Sequence, residues 1–218
     1  MEEYKISCLT VGMVQTNCYL LQNVSKGKVV IVDPGAEAEK ISLTAKKMGI
    51  VSGILLTHGH FDHIGAATEL AEKFHVNSYL GEGDFALAKD PKLNCSNLFG
   101  CLCNYSQDVI VSDKEQLNLG GFTFHVIHTP GHTIGGVCYY LPSQKVLFSG
   151  DTLFFQSVGR SDFPTGKEEV LLNSVKEKLF SLPDETVVYP GHGSQTTIGY
   201  EKKNNPFFLG KKESGIRV

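Results

Sequence analysis

Thr57-His58-Gly59-His60-Phe61-Asp62-His63 gathers three imidazoles and a carboxylate into six consecutive positions, directly after the apolar run Gly53-Ile54-Leu55-Leu56. Histidine and aspartate are preferred ligands of zinc and of non-haem iron. A strand ending in such a cluster delivers ligands to the rim of a sheet, where loops build sites on a rigid base. The plan recurs three times. His132 sits in Thr129-Pro130-Gly131-His132-Thr133 after a strand-like run at 122–127, and Asp151 sits in Ser149-Gly150-Asp151-Thr152 after Val146-Leu147-Phe148. His192 sits in Pro190-Gly191-His192-Gly193 after Thr186-Val187-Val188-Tyr189. Glycine beside each side chain permits a tight turn and a close backbone approach.

His58, His60, Asp62, His63, His132, Asp151 and His192 are too many for one ion with three or four protein ligands. Two ions about 3.5–4 Å apart, joined by a bridging carboxylate, accommodate all of them. His58 and His60 alternate along an extended segment and point the same way, whereas Asp62 and His63 lie where the chain turns helical. That makes two subsets. His132 completes the first, His192 completes the second, and Asp151 is the natural bridge. His75, His125 and His128 lack this context and read as ordinary surface or hydrogen-bonded histidines.

The elements that must position these residues are short. Strands are expected at 6–11, 18–22, 29–32, 54–57, 77–80, 122–127, 136–141, 145–149 and 186–189. Helical spacing marks 36–48, with Gly49 as a stop, 64–74 and 170–179. Residues 91–107 show no clear periodicity and hold Cys95, Cys101 and Cys103. Cys-x-Cys is a weak zinc signal. The segment reads better as a loop over the mouth of the site, with Leu98, Phe99 and Leu102 offering apolar contacts. Periodicity alone supports a mixed α/β domain.

A chain of 218 residues with 41% hydrophobic content suits a single packed domain over 1–218. Cys8, Cys18 and Cys138 lie in strand-like runs and read as small buried apolar residues. With no secretory apolar region and no membrane-length run, a cytoplasmic location is expected. A net charge of −3 argues against nucleic acid as a partner. The basic residues Lys202, Lys203, Lys211, Lys212 and Arg217 near the end read as solvated surface.

These motifs, together with Asp33-Pro34-Gly35, Ser149-Gly150-Asp151-Thr152-Leu153-Phe154, Ser157-Val158-Gly159-Arg160-Ser161-Asp162-Phe163-Pro164, Pro190-Gly191-His192-Gly193-Ser194-Gln195-Thr196-Thr197-Ile198-Gly199 and Asn205-Pro206-Phe207, carry a resemblance. The chain resembles the metallo-β-lactamase superfamily, its glyoxalase II branch, and most closely the short bacterial glyoxalase II-like (hydroxyacylglutathione hydrolase-like) hydrolases. The resemblance implies an αββα sandwich of two packed mixed sheets with helices outside. It implies that His58, His60 and His132 hold one divalent ion, that Asp62, His63 and His192 hold another, and that Asp151 bridges. Zinc is the expected metal, with iron and manganese also suited to such ligands. Asp33 matches a position that orients a ligand or braces its loop, and Thr57 and Thr152 are expected to brace ligands as well.

The expected activity is binuclear hydrolysis of S-lactoylglutathione-type (hydroxyacyl-thiol) thioesters by a metal-bridging hydroxide, with Asp62 and Asp151 holding the nucleophile in line. A thiol of pKa about 8.5 departs as thiolate without a general acid. An amide nitrogen needs a proton, for which Tyr189 and Tyr200 are the candidate donors. Arg160 is the expected substrate contact, with Ser157 a lesser one, unless Arg160 pairs with Asp162. Asp162 stands where the family places an aromatic, and the helical glutathione-binding extension has no counterpart, so tight glutathione recognition is not expected. The 159–163 string also resembles persulfide dioxygenases, in which a single iron would use His58, His132 and Asp151. A β-lactamase is disfavoured by the aspartate at 151, where such enzymes commonly place cysteine. A non-enzymatic metal-binding protein is the remaining alternative.

Overall fold

The computed structural model describes residues 3–101, 103, 105 and 109–209; Leu102, Lys211, Lys212 and Arg217 lie outside these. The first sheet runs β1 (Tyr4–Val11), β2 (Thr16–Asn23), β3 (Lys28–Val32), β4 (Ile50–Leu55), β5 (Ser78–Gly81), β6 (Val109–Val111) in spatial as in chain order. It is antiparallel up to β3 and parallel from β3 onward. The second sheet contains β7 (Gln116–Leu119), β8 (Phe122–His128), β9 (Val137–Leu141) and β10 (Val146–Gly150). After a small hairpin of β11 (Leu153–Phe154) and β12 (Ser157–Val158), β13 (Val187–Pro190) joins it parallel to β10, and β14 (Thr196–Thr197) closes that edge. The helices are α1 (Ala38–Met48), α2 (Phe61–Ile64), α3 (Ala67–Phe74), α4 (Phe85–Lys89), α5 (Glu168–Glu177) and α6 (Ile198–Asn204).

Strand periodicity explains the layering. Leu21, Val30, Val32 and Leu55 face inward and meet Phe124, Val126, Tyr139 and Phe148 of the second sheet. Their neighbours Leu20, Val29, Ile31 and Ile54 face outward and are covered by Ile41 and Ala45 of α1 and Leu70 of α3. Leu147 and Val188, on the outer face of the second sheet, lie under Leu171 and Val175 of α5 and Ile198 of α6. Strands buried on both faces read as unbroken apolar runs, as β3 and β10 do. The result is the αββα sandwich. Among the described residues no helix is long and apolar enough to cross a membrane.

The strand directions put the chemistry at one edge. β3 and β4 are parallel, and β8, β10 and β13 run together in the second sheet. Their C-terminal ends therefore carry Asp33, the 57–63 cluster, His132, Asp151 and His192. At this edge backbone bonds cross between the sheets: Val137 N donates to the Thr57 carbonyl at 2.8 Å, and Asn17 N to the Gly191 carbonyl at 2.7 Å. Deeper between the layers, the Tyr139 hydroxyl donates to the carbonyls of Leu56 (3.0 Å) and Tyr79 (3.2 Å).

Several elements differ from the expectation. The helix expected at 64–74 starts at Ala67, after the separate short helix α2 ends at Ile64, and between them Ala66 N donates to the Pro34 carbonyl at 2.9 Å. The strand expected at 54–57 starts earlier, at Ile50, and ends at Leu55, which leaves Thr57 free to turn toward Asp33. The helix expected at 36–48 starts at Ala38 and the one expected at 170–179 spans Glu168–Glu177. The short elements β6, β7, β11, β12, β14, α4 and α6 were not legible, having too few residues for a period to show.

Tyr139→Phe removes a donor from two carbonyls that lie beneath the ligand-bearing segment. We expect a loss of about 1–3 kcal/mol in stability, read from the denaturant midpoint. An unchanged midpoint would mean that this cross-layer bond contributes nothing net.

Candidate metal centre

Asp33, just past β3, accepts from Thr57 N and from Thr57 Oγ1, both at 2.7 Å, and its Oδ2 lies 3.0 Å from His63 Nδ1. One carboxylate thus braces the 57–63 segment and turns His63 so that Nε2 faces inward, the usual way a carboxylate orients a metal-binding imidazole. The Arg160 carbonyl does the same for His132, at 2.6 Å from its Nδ1. Thr16 Oγ1 donates to Asp62 Oδ2 at 2.8 Å. The His192 loop is held by Asn17 Nδ2, which donates to the Gly193 carbonyl at 2.9 Å, and by the Tyr19 hydroxyl, which donates to the Pro190 carbonyl at 2.6 Å. Two glycines make room. Gly150 has φ +48°, and a Cβ there would sit 2.1 Å from Thr57 Oγ1; one at Gly191 would sit 2.1 Å from Asp151 Oδ1.

The structure brings all seven candidates together. Ligand atoms of His58, His60 and His132 form one group and those of Asp62, His63 and His192 another, each within 4.8 Å; His58, His63 and Asp151 form a third that overlaps both. His58 Nε2 and His132 Nε2 are 3.2 Å apart. Asp62 Oδ2 is 3.4 Å from His63 Nε2 and 3.3 Å from His192 Nε2. Asp151 reaches both sides: its Oδ2 is 3.6 Å from His132 Nε2 and 3.5 Å from His192 Nε2, and its Oδ1 is 3.4 Å from His63 Nε2. Most of these separations are long for hydrogen bonds. They match the roughly 3.3–3.4 Å between neighbouring ligands on a tetrahedral ion with bonds of about 2.0–2.1 Å. His63 Nε2 and Asp151 Oδ1 are buried without a hydrogen-bond partner. Two such atoms aimed at one space fit a cation.

The electrostatics agree. Burial drives His60 down to about 3, with His132 adding to the effect, so it stays a neutral donor. Burial also opposes charge on Asp62 and Asp151, yet His63 and the neighbouring imidazoles outweigh it and hold both carboxyls below their ordinary range. At His63 burial is likewise overridden, by Asp62, Asp151 and Asp33, and the pKa is raised. The carboxylates hold positive charge at the centre of the cluster, and a metal ion answers that demand while competing with the proton.

Asp84 was not foreseen. It is fully buried, and its Oδ2 accepts from Gly59 N (2.8 Å) and Thr133 Oγ1 (2.7 Å), while Oδ1 accepts from Gly135 N (2.7 Å). It ties the loop carrying His58 and His60 to the loop carrying His132. No motif surrounds it in the sequence, so only tertiary contact reveals it. Thr16, Asn17 and Tyr19 were missed for the same reason. Thr152 contacts Thr129 at 3.0 Å and so links the loops after β8 and β10.

A cavity of about 270 Å³ opens over the cluster, walled by Phe61, Cys95, Phe99, Phe154, Arg160 and Phe163 among others. Phe99 packs on Phe61 at 4.7 Å between ring centres, so of the expected loop Cys95 and Phe99 reach the mouth. Arg160 lines the cavity but makes a two-pronged pair with Asp162, Nε to Oδ1 at 2.9 Å and Nη2 to Oδ2 at 2.7 Å. Ser157 is not among the lining residues; its hydroxyl donates to the Val158 carbonyl at 3.3 Å. Neither tyrosine lines the cavity: Tyr189 packs on Tyr19 and Phe148, and Tyr200 on Phe155.

The metallo-beta-lactamase superfamily profile matches residues 11–192. The chain belongs to this superfamily. It is similar to hydroxyacylglutathione hydrolase GloC of Haemophilus influenzae, 38% identical over 213 residues and covering 94% of this chain and 99% of that one. The crystal structure of the BLEG-1 B3 metallo-beta-lactamase superposes with a TM-score of 0.90 at 42% identity, covering 94% of this chain and all (100%) of that one. TTHA1623, solved in a di-iron-bound form, superposes with a TM-score of 0.82 at 39% identity, covering 92% and 99%. The family is one of metallo-hydrolases, which fits the cluster.

Asp151→Ala removes the side chain that lies against members of both groups. Metal content should fall and activity should be lost; full metal retention with normal turnover would sink the bridging assignment. Asp84→Asn turns an amide N–H toward Gly135 N–H or Thr133. Affinity for the ion on the His58 side should fall about 10- to 100-fold, read by metal titration and by the absorption of the cobalt-substituted protein. Unchanged titration curves would reduce Asp84 to a packing role.

Proposed function

We propose that this protein is a two-metal hydrolase of small hydroxyacyl thioesters. The observation that carries the reading is the convergence of two ligand groups on one shared carboxylate, Asp151, at the floor of an aromatic-walled cavity. Bound divalent ions would supply Lewis acidity toward the carbonyl and a hydroxide nucleophile at neutral pH. Zinc is the metal we expect, and the di-iron form of TTHA1623 supports iron as well.

The chain's own residues do the rest. Asp62 and Asp151 stay anionic and present acceptors to the attacking water, fixing its lone pair toward the substrate carbon. The water oxygen bonds to the acyl carbon, the C–S bond breaks with its electrons on sulfur, and carboxylate, thiolate and two protons leave. Beyond the seven cluster residues, the ionisable side chains lining the cavity are Cys95 and Arg160. That lining favours a leaving group that needs no proton, as a thiolate does. Arg160 uses one edge of its guanidinium on Asp162, which leaves Nη1 to meet an anionic group of the thiol carrier. The six cysteines are unpaired, which suits a reducing cytoplasm.

The likeness to BLEG-1 favours a second reading, β-lactam hydrolysis at the same centre. The mononuclear iron dioxygenase is less well supported, since it leaves the Asp62, His63 and His192 group without a role.

The deciding experiment is anaerobic thiol release from S-lactoylglutathione by protein stripped of metal and reloaded with zinc, run beside a chromogenic cephalosporin. Metal-dependent release without oxygen is the expected result. Cephalosporin turnover alone would replace the thioester reading, and persulfide consumption only with iron and oxygen would replace both. Arg160→Ala should raise KM up to about fivefold at unchanged kcat; an unchanged KM would leave Arg160 with only its pair to Asp162 and its carbonyl contact to His132.

A further inference from the structure

A second cavity, of about 260 Å³, adjoins the metal cavity across Val14 and Phe61, and both reach Asp62. Sites for small molecules usually occupy roughly 300–1,000 Å³. Each cavity alone falls short of that range, and the two joined lie within it. A lactoyl group needs little of this space.

The two differ in charge. The metal cavity carries Arg160 in its wall. The second is walled by Met13, Val14, Ala36, Phe61, Cys101 and Cys103 together with three glycines, and among the described residues Asp62 is the one carboxylate or basic side chain lining it. Burial pushes the Cys103 thiol up to about 11, so it is neutral. On the rim, Glu37 accepts from Gly12 N at 3.0 Å, and its charge is matched by Lys40 at 2.9 Å. Among the described residues an anionic arm finds no unmatched cation lining this side. An apolar arm finds a wall that can adapt, since Met13 is 68% exposed and methionine is flexible.

We propose that the substrate spans both cavities, with its anionic thiol carrier on the Arg160 side and an uncharged, apolar acyl chain longer than lactoyl in the second cavity. This rests on the thioester reading and widens its acyl class from small hydroxyacyl groups to longer apolar chains. Each methylene buried there strengthens binding up to about fourfold, from about 0.8 kcal/mol per group.

The test separates the cavity from the reaction. Straight-chain carboxylates from acetate to octanoate, the products of such a reaction, are titrated calorimetrically into zinc-loaded protein. Kd should fall with each added methylene beyond the first few carbons. In Ala36→Leu, which fills the second cavity, the acetate affinity should stay and the gain with length should vanish. Met13→Gln, at an exposed position, should blunt the gain, and it decides the matter if Ala36→Leu does not fold. A Kd independent of length in the wild type, or a gain that survives in the folded variants, overturns the proposal. Length-dependent binding without thiol release from any thioester would sink the reaction reading and leave the cavity assignment standing. Thiol release with length-independent binding would do the reverse.

Discussion

Buried charge governs this molecule. Five imidazoles and two carboxylates crowd within a few ångströms, with His58, His60, His63 and His132 almost fully removed from water. Such a cluster is costly to bury unless a cation sits inside it and every outer nitrogen has a partner. The surrounding architecture supplies such a partner at three of the rings, whereas His60 Nε2 is buried without a hydrogen-bond partner. Asp33 turns His63, the Arg160 carbonyl turns His132, and Thr57 sits beside His58 Nδ1 at 3.2 Å. Metal binding and the local fold are therefore one equilibrium at this edge.

The αββα sandwich makes that arrangement rigid. The central strands of each sheet are buried on both faces, so they cannot slip without exposing a whole apolar face. The ligands hang from strand ends, and the two sheets are joined at the same edge by Val137 to Thr57, Asn17 to Gly191 and the three bonds of Asp84. Asp84 and Asp33 play parallel parts, one linking ligand loops across the sheets and the other linking neighbouring strands of one sheet. The substrate side draws on the β1–β2 turn, on Cys95, Phe99, Cys101 and Cys103, and on Phe154, Arg160 and Phe163, mostly loop residues that can vary while the centre stays constant.

The likeness to GloC and to BLEG-1 on one chain shows why the family's centre does not by itself name the substrate. Function of this kind is settled by what lines the approach. Here the walls offer aromatic rings, one arginine already shared with Asp162, and no tyrosine hydroxyl among the lining residues.

The sequence alone marked the candidate ligands. The 57–63 string, the turns around His132, Asp151 and His192, and the unbroken apolar strands before them are local signals, because a ligand's identity and its place at a strand end lie within a few residues. Tertiary structure decided what depends on distance in space. Asp84 lies 25 residues from Gly59 and 51 from Gly135, and no spacing rule joins them. Between α2 and α3, Ala66 N donates to the carbonyl of Pro34, which lies outside the helices' own residues. The sequence left Arg160 open between a substrate contact and a pair with Asp162, and the fold shows the pair with one edge of the guanidinium still free. The second cavity, too, exists only where the β1–β2 turn meets the cysteine-bearing segment, since a cavity is made by the packing of segments remote in the chain.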